Sequence, residues 1–328
     1  MVGGSKFSST YNYDTLRQSK CTSVNIPEDK SNYWAPSVYY KHRNNGTLEL
    51  VPSELGVYYL HRGTEMNKRQ FPPGLRMIAG SATRGAMGDT SADKAIRYQC
   101  RGINDPTKEE SYAFPKRSCP DGIFQVIFFP SCWNGKDVTS ANHQDHVSYP
   151  IGTPDGGTCP PTHPIRFITM KLEQAVHTER FEYYDGAFFL STGDNEGYSS
   201  HGDFANGWDA SENSLLQRAI NSCTDSRDDI KKCLLLFTTI NPDYRLCRPE
   251  SKIPVEDVGI YGGLKQLPGD NALWGGDVKK VLTGVSNNPP YGSPYSTLPS
   301  NWVYHACMNG GGPSAFSIIR INIHFMGL

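Results

Sequence analysis

Four of the nine histidines in the sequence fall within loop-like segments rich in Gly, Pro, Asp and Asn. They are His143, His146, His163 and His201, and Asp203 follows two residues after the last of them. Imidazole is the commonest metal ligand in proteins, and carboxylates complete such sites. Two or three of these histidines with the carboxylate would therefore suit one divalent metal ion with an open coordination position. Metal-free acid–base catalysis by the same side chains is the alternative, because histidine titrates near neutral pH.

The spacing of these residues gives two further expectations. His143 and His146 are three apart, so one helical turn would place both on one face. His201 and Asp203 are two apart, which on a strand again means one face. The competing interpretation is structural, since a loop histidine is often only a hydrogen-bond partner of the backbone.

Carboxylates and aromatic rings in the same segments point towards carbohydrate. Asp203 with Asp194, or Asp203 with Glu173, would form the carboxylate pair of a glycosidase if the carboxyl groups meet in space. Exposed aromatic rings can stack on sugars, although core packing is their more frequent role. The residues that we predict to bind substrate are Trp133, Tyr149, Arg166, Asp194, Tyr198 and Trp208.

The composition argues against several classes of protein. Lys and Arg total 32 and Asp and Glu total 33, for a formal net charge of -1, so a nucleic-acid or anionic-membrane partner is not indicated. No apolar run approaches the roughly 20 residues of a membrane span. The sequence has neither a Gly-rich phosphate loop before a helix nor a Gly-x-Ser-x-Gly elbow, which disfavours nucleotide binding and serine-hydrolase chemistry.

The nine cysteines are widely and irregularly spaced, without a Cys-x-x-Cys pair. This pattern is typical of a disulfide framework in a secreted protein, and the odd count leaves one cysteine over. Asn45-Gly46-Thr47 is a glycosylation sequon, which also occurs by chance. Met1 is not followed by a signal peptide, so we expect the true start to lie upstream. We predict a secreted, extracellular protein associated with the cell wall, with a cytosolic protein as the alternative.

The strand and turn signals predict a mainly β fold. Residues 38–40 and 56–60 read as a hairpin across an Asn-Asn-Gly turn, and residues 75–78, 123–129, 165–172 and 186–191 read as further strands. Helical spacing predicts a helix over residues 214–223, capped by Ser211 or Asn213, and a second short helix over residues 226–232. The pattern favours an antiparallel β-sandwich or a jelly-roll-like domain, with long disulfide-tied loops and one or two short helices.

Several segments together carry a family resemblance. They are residues 129–136 (Phe-Pro-Ser-Cys-Trp-Asn-Gly-Lys), 143–150, 159–166 and 194–209, with 3–7, 29–40, 71–77 and 119–122 upstream. Over roughly residues 1–275 the chain resembles the family known as domain of unknown function 1996. The resemblance implies a secreted, mostly fungal protein, and several such proteins carry WSC modules that are associated with carbohydrate and cell walls. It also gives weight to the histidines, because they lie inside the family's motifs.

The chain departs from that family pattern in three places. Family members usually carry a His-x-His pair just before the segment that begins at Gly3. If that pair belongs to the site, this sequence lacks part of the site's chemistry. The family tends to have a cysteine near residues 267–270, so the resemblance implies that Cys247 lacks its usual partner. Residues 298–304 with Cys307 resemble the opening of a WSC module that does not continue, which would leave Cys307 unpaired.

These observations lead to one organisation and two functional hypotheses. We predict a β-sandwich-like domain over residues 1–275, a linker over 276–300, and a truncated WSC-like start with an irregular tail over 301–328. The first hypothesis is a polysaccharide-active hydrolase or lyase of the cell wall or extracellular matrix that uses the histidine cluster. The second is a wall protein that binds polysaccharide through aromatic side chains without catalysis. The oligomeric state is open.

Overall fold

Short strands dominate the structure, as the β-branched and aromatic runs predict. A computed structural model of the 328-residue chain describes residues 2–6, 12–101, 109–224, 230–250, 253–254, 257–260, 262–276, 291–292 and 323–326. The strands are β1 Val2–Gly3, β2 Asn32–Trp34, β3 Val38–Lys41, β4 Leu48–Leu50, β5 Ser53–Leu60, β6 Arg76–Gly80, β7 Ile96–Cys100, β8 Glu110–Ser111, β9 Ile123–Phe128, β10 Cys132–Trp133, β11 Val147–Ser148, β12 Ile165–Arg166, β13 Thr169–Val176, β14 Phe188–Leu190, β15 His201–Ala205, β16 Ile253–Pro254, β17 Tyr291–Gly292 and β18 Ile323–Met326.

Two large sheets form the body of the fold. One has the order β1-β2-β15-β6 and is antiparallel throughout. The other has the order β18-β5-β13-β9-β7-β8, in which only β18 runs parallel to its neighbour. Strands β5 and β13, at its centre, pair over all eight residues of each.

The inner faces of the two large sheets pack against each other. Phe204 on β15 is buried, and its ring lies 4.9 Å from that of Phe71 and 6.3 Å from that of Phe129. Gly202 lies so close to the six-stranded sheet that an added Cβ would meet a Phe129 ring carbon at 2.9 Å. These contacts agree with the predicted mainly β, antiparallel sandwich.

A chain of hydrogen bonds crosses this core. The Trp208 indole donates to Tyr59 Oη at 2.9 Å, and the hydroxyls of Tyr59 and Tyr33 lie 2.6 Å apart. Tyr33 in turn donates to Asp29 Oδ2 at 2.7 Å, and Asp29 Oδ1 accepts from the Ser31 amide at 3.0 Å. Burial raises the pKa of the Asp29 carboxyl to about 6, against the opposing effect of these donors.

The smaller sheets correct one predicted pairing. Strand β3 forms its hairpin with β4, and β14 lies on its other side. Residues 56–60, the predicted partner, instead lie in β5 and pair with β13. The turn was correctly placed, but the strand that follows it directly is the shorter β4. The remaining sheets are β11-β10-β12 and the pair β16-β17.

The helices are short. They are α1 Tyr13–Arg17, α2 Leu215–Ser222 and α3 Leu234–Phe237, with 3-10 turns at Asp93–Ala95, Ile230–Lys232, Tyr244–Leu246 and Pro268–Asp270. Helix α2 confirms the predicted helix, but its cap is Ser214, whose Oγ accepts from the Gln217 amide at 3.1 Å, and not Ser211 or Asn213. Of the predicted second helix, residues 226–229 lie outside the described residues and its end is the 3-10 turn Ile230–Lys232.

Four disulfides connect the loops, as the cysteine spacing predicts. They join Cys100 to Cys119, Cys132 to Cys159, Cys223 to Cys233, and Cys21 to Cys247. Cys247, for which the resemblance implies the loss of its usual partner, is bonded to Cys21 across 226 positions of sequence. The predicted unpaired Cys307 lies outside the described residues.

Of the predicted linker and tail, the described residues are 276, the pair that forms β17, and the four that form β18. The division of the chain at these points stays a prediction. In the part of the chain that the structure describes, none of the helices has the length and apolar character needed to cross a bilayer.

Candidate functional site

Strand β15 carries the two residues of the clearest chemical pair. His201 and Asp203 are two apart on this strand and share the face that points away from Phe204. Asp203 pairs with Trp34 on β2 and with Ile78 on β6, so the three side chains form a row across the outer face of the four-stranded sheet. The predicted placement of His201 and Asp203 on one face of a strand is thereby confirmed.

His143 approaches this face from a loop along the edge of β6. The Ile78 amide donates to the His143 carbonyl at 3.0 Å, and the Gln144 side-chain amide donates to the carbonyl of Gly80 at 2.7 Å. His143 has φ of 55°, in the left-handed region that favours glycine. Its Nδ1 lies 2.7 Å from Thr139 Oγ1. The loop contacts therefore hold His143 in a conformation that it would rarely adopt by itself.

Asp203 is the electrostatic centre of the site. Its Oδ1 is buried and has no hydrogen-bond partner among the residues that the structure describes. Burial raises the pKa of the Asp203 carboxyl, and the nearby imidazoles of His201 and His143 pull that pKa partly back. The protonated form of the Asp203 carboxyl is therefore favoured more than at an exposed aspartate.

His201 is fixed on both sides. Its Nδ1 lies 2.9 Å from the Ser199 carbonyl, which assigns the proton to that nitrogen. Its ring lies 4.9 Å from that of Trp34 at an interplanar angle of 44°. Trp34 is half-buried and therefore presents part of its indole beside Asp203.

His146 stabilises its own loop and is not part of the row formed by Asp203, Trp34 and Ile78. It is buried, its Nδ1 lies 3.0 Å from Ser140 Oγ, and burial lowers the pKa of its imidazole. Ser140 Oγ also accepts the amides of Gln144 and Asp145, each at 3.1 Å. The prediction that one helical turn brings His143 and His146 to the same face is wrong, because the segment is a loop with His143 in a left-handed conformation.

His163 bridges two loops. Its Nδ1 lies 3.0 Å from Thr162 Oγ1, and its Nε2 lies 3.1 Å from the Asp145 carbonyl. In the described part of the chain, no group of three or more His, Cys, Asp or Glu side chains is placed to hold a metal ion. His163 uses both ring nitrogens in contacts between loops, whereas His146 uses Nδ1, and its buried Nε2 has no hydrogen-bond partner among the described residues. Metal binding by His143, His146, His163 and His201 stays a prediction.

An open groove of about 560 Å³ lies along the edge of β6, and Asp203, Trp34, His201 and His143 are not among the residues that line it. Ile78 belongs to both the row and the groove, because it pairs with Asp203 across the sheet and lines the groove. The groove mixes hydrogen-bond donors and acceptors with apolar surface. Its polar lining includes Ser81, Arg84, Asp93, Gln144, Asp145, Ser148, Thr162 and His163, and its apolar lining includes Pro130 and Pro160.

Arg84 holds one wall of the groove. Its Nε donates to the Tyr198 carbonyl at 2.8 Å, and its Nη1 lies 3.2 Å from Asp93 Oδ1. Tyr198, a predicted substrate-binding residue, thus holds Arg84 through its backbone carbonyl and does not itself line the groove. Tyr149, another, lines the groove itself and donates its hydroxyl to the Phe128 carbonyl at 2.8 Å.

Three of the predicted substrate-binding residues are enclosed by protein. Trp208 and Arg166 are 1% and 2% exposed, and Arg166 donates to the Arg62 carbonyl at 3.2 Å and to Thr169 Oγ1 at 3.1 Å. Asp194 is fully buried and accepts the amides of Glu196 and Ser199. Their surroundings give these residues structural roles, which corrects the expectation that they contact substrate.

Trp133 is the last of the predicted substrate-binding set. Its ring stacks on Phe167 with 5.6 Å between centroids and 19° between planes, and its indole donates to the Asp137 carbonyl at 2.6 Å. Trp133 is half-buried, and because one ring face stacks on Phe167, a ligand could contact only the opposite face. The structure does not bring it into the lining of the groove.

The predicted glycosidase pairs are not formed. Glu173 lies on the outer face of β13, and Asp203 lies on the outer face of the other large sheet, so the sandwich core separates their carboxyl groups. Asp194 is buried, and each of its oxygens already accepts a backbone amide. Asp203 is therefore the carboxyl that remains available for chemistry.

Comparison with known families completes this description. The model of the family described as "Domain of unknown function (DUF1996)" matches residues 1–208, which is more than half of the chain. The chain belongs to the DUF1996 family. No curated protein and no solved structure matches it. The match includes the Asp203 row and the whole groove, whereas the resemblance of the C-terminal segment to a WSC module stays a prediction.

Sequence reasoning missed two residues of this DUF1996 site, Trp34 and Arg84. Trp34 belongs to a segment already singled out by the family resemblance, so its aromatic ring could have been considered there. Arg84 lies in a Gly- and Ser-rich stretch without a motif, and only the fold brings it to the groove.

Proposed function

We propose that this DUF1996 protein acts outside the cell on polysaccharide, with Asp203 as a proton donor beside the open groove. Four disulfides are consistent with an extracellular protein. Secretion and association with a cell wall are part of the proposal. The exposed Asn45 supports it too, because the only Asn-x-Ser/Thr sequon of the sequence falls on the turn between β3 and β4.

The observation that carries the proposal is the state of the Asp203 carboxyl. A buried carboxylate normally has hydrogen-bond partners, because leaving it without them costs free energy. The Asp203 oxygen Oδ1 has none among the described residues, and burial raises the pKa of its carboxyl. Groups of this kind, placed beside a groove, are favoured as acid–base catalysts.

The surroundings of Asp203 supply the other roles of a hydrolase. A protonated Asp203 can transfer its proton to the leaving glycosidic oxygen as the carbon–oxygen bond breaks. The imidazole of His143 or His201 can accept the proton of the water that adds to the sugar carbon. Trp34 would flank a sugar ring at this position, and the polar lining of the groove would bind neighbouring rings through their hydroxyls.

Binding without catalysis is the second candidate. The groove favours it, since Tyr149 and the mixed polar lining suit a hydroxyl-rich chain whether or not a bond is broken. The two candidates differ in what His201 must do. A catalyst needs its imidazole as an acid–base group, whereas a binding module needs only a side chain of similar size.

The deciding experiment measures turnover on soluble wall polysaccharides by the release of reducing ends, using protein from a secretory host. His201→Gln is the test variant, and His42→Gln is the matched control because His42 is half-buried and directly follows β3, which belongs to a different sheet. We expect turnover by the native protein and by the control, and its loss in His201→Gln. Binding without turnover in all three proteins would instead establish the non-catalytic candidate.

A further inference from the structure

A second cleft lies on the outer face of the six-stranded sheet, on the side of the sandwich opposite Asp203. Its volume is about 210 Å³. Strands β5, β13 and β9 supply most of its lining, and one residue follows β7. The lining residues are Glu54, Gly56, Tyr58, Arg101, Phe124, Glu173 and Ala175.

The register of the central strands creates the hollow. Glu173 pairs directly with Gly56, and Glu54 pairs directly with Ala175. Each carboxylate thus faces a residue with almost no side chain. The Tyr58 ring fills part of the space over Gly56, because an added Cβ there would meet Tyr58 Cε2 at 3.0 Å. Glycine within a strand weakens it and often marks a position where a ligand approaches closely. Gly56 has an ordinary extended backbone, so its conformation alone does not require glycine.

The polar groups of the cleft are already oriented. Glu173 accepts from the Tyr58 hydroxyl at 3.0 Å and from Lys171 Nζ at 2.8 Å. Its side chain is 18% exposed and that of Glu54 is 20% exposed, so both reach solvent through the cleft. Groups held in place before binding lose little conformational entropy when a ligand arrives.

Cations cover the aromatic rings of this face. Lys171 Nζ lies 4.1 Å from the ring centroid of Tyr58, and the Arg101 guanidinium lies 4.9 Å from that of Phe124. The Arg101 guanidinium lines the cleft beside the carboxylates of Glu54 and Glu173, and the Tyr58 hydroxyl and Lys171 Nζ donate to Glu173 at its edge. Lys171 is paired with Glu173, and Arg101 lies 3.6 Å from Glu179, so an anionic ligand would meet no surplus of positive charge.

We propose that this cleft is a second saccharide-binding site, which takes one ring of a neutral glycan. Its volume is below the roughly 300–1,000 Å³ of sites for drug-sized ligands, which suits a single ring. Alternating donors and acceptors match the hydroxyls of a sugar, each of which both donates and accepts. The proposal rests on this cleft alone and does not require catalysis at Asp203.

A protein with sites on opposite faces can hold two stretches of polysaccharide at once. The second binding event then benefits from the effective concentration set by the first, which raises the affinity for long chains over single rings. Affinity for a polymer should therefore fall when either site is lost, and affinity for a short oligosaccharide at the cleft should not depend on the groove.

Nuclear magnetic resonance of the ¹⁵N-labelled full chain tests the assignment directly. The probes are glucose, N-acetylglucosamine and their linear oligomers, with galacturonate as the charged comparison. We expect saturable shifts of the backbone amides of Gly56, Glu173 and Ala175 with at least one neutral probe. Ala175→Leu should fill the cleft and weaken this binding about tenfold or more.

Three further proteins make the result decisive. Glu173→Gln tests the same site without filling it, so it serves if Ala175→Leu does not fold, and its binding should also weaken. Glu110→Gln, on an edge strand of the same sheet, is the control and should bind like the native protein. Asp203→Asn should bind normally at the cleft, which separates this proposal from the proposed catalysis. Absence of saturable shifts with every neutral probe, or unchanged affinity in both cleft variants, would overturn the assignment.

Discussion

Asp29 and Asp203, which lie on opposite faces of the sheet that contains strand β2, each have a buried carboxyl oxygen, but they differ in their hydrogen-bond donors. Burial raises the pKa of both the Asp29 and the Asp203 carboxyl. Asp29 lies in the core, where Tyr33 of β2 and the Ser31 amide each donate a hydrogen bond to it. Asp203 lies on the outer face opposite Trp34, the next residue of β2, and its buried oxygen has no such donor within the described chain.

The Asp29 carboxyl has a structural role, whereas the Asp203 carboxyl is the one proposed to act in catalysis. Asp29 has partners that reach through Tyr33 and Tyr59 to Trp208, so it connects three parts of the core and is closed to ligands. Asp203 has two imidazoles near it, and Ile78, its neighbour across the sheet, lines the open groove. A raised pKa alone does not identify a functional group, and the hydrogen-bond partners decide between the two roles.

Replacement of each aspartate should therefore affect different properties. Asp203→Asn keeps the size of the side chain and removes its proton chemistry, so we expect polysaccharide turnover to fall by about 10²-fold or more. The melting temperature should change little, because no hydrogen bond to Oδ1 is lost. Turnover and thermal unfolding measured on the same preparation check both statements. An Asp203→Asn protein of native activity would remove Asp203 from the mechanism.

Asp29→Ala should give the opposite result. The Tyr33 hydroxyl and the Ser31 amide would stay buried without their acceptor, at a cost of about 1–3 kcal/mol each. We expect the free energy of unfolding to fall by about 4 kcal/mol at pH 5, with unchanged turnover per folded molecule. Urea denaturation measures the loss, and Asp29→Asn is the control, because its carbonyl oxygen still accepts and its loss should be smaller. Equal losses in both variants would mean that the hydrogen bonds contribute little.

The pH dependence of stability follows from the same carboxyl. Its pKa is about 6 in the folded protein against a reference of 3.8, so the folded state binds more protons between these values. The contribution of Asp29 to stability should therefore be greatest below about pH 4 and should decline by ~3 kcal/mol as the pH rises through about 6. Unfolding midpoints of the native protein and Asp29→Asn across this range isolate the contribution. The difference in stability between the two proteins should not change with pH if the folded-state pKa is ordinary.

Elements with a strong local signal could be predicted from the sequence. The apolar run at 123–129 predicts β9 and the helical spacing at 214–223 predicts α2, because a buried strand or a buried helix face requires a pattern of apolar residues that are close in sequence. The pairing of strands that are distant in sequence leaves no such local pattern. Residues 56–60 were assigned to the nearest hairpin, yet their partner is β13, more than a hundred residues later.

The candidate site divides in the same way. His201 and Asp203 could be placed on one face, because a two-residue spacing on a strand determines the direction of each side chain. His143 and His146 could not, because a loop has no fixed period and a left-handed His143 turns the two rings apart. The groove wall formed by Arg84 depends on contacts to Tyr198 and Asp93 that only the folded chain creates.

Trp208 gives the smallest and most specific test of the comparison. From the sequence it was a candidate sugar platform, but it is 1% exposed and donates to Tyr59 at the far end of the Asp29 chain. Trp208→Phe removes that hydrogen bond and keeps an aromatic ring, so we expect a loss of ~1 kcal/mol in the free energy of unfolding. Affinity for polysaccharide should stay unchanged, whereas Trp34→Phe, beside Asp203, should lower affinity with little effect on stability. Calorimetric binding and urea denaturation of the two variants measure these affinities and stabilities. A loss of affinity in Trp208→Phe would contradict the distinction between core and outer face, because the indole would then contact the ligand.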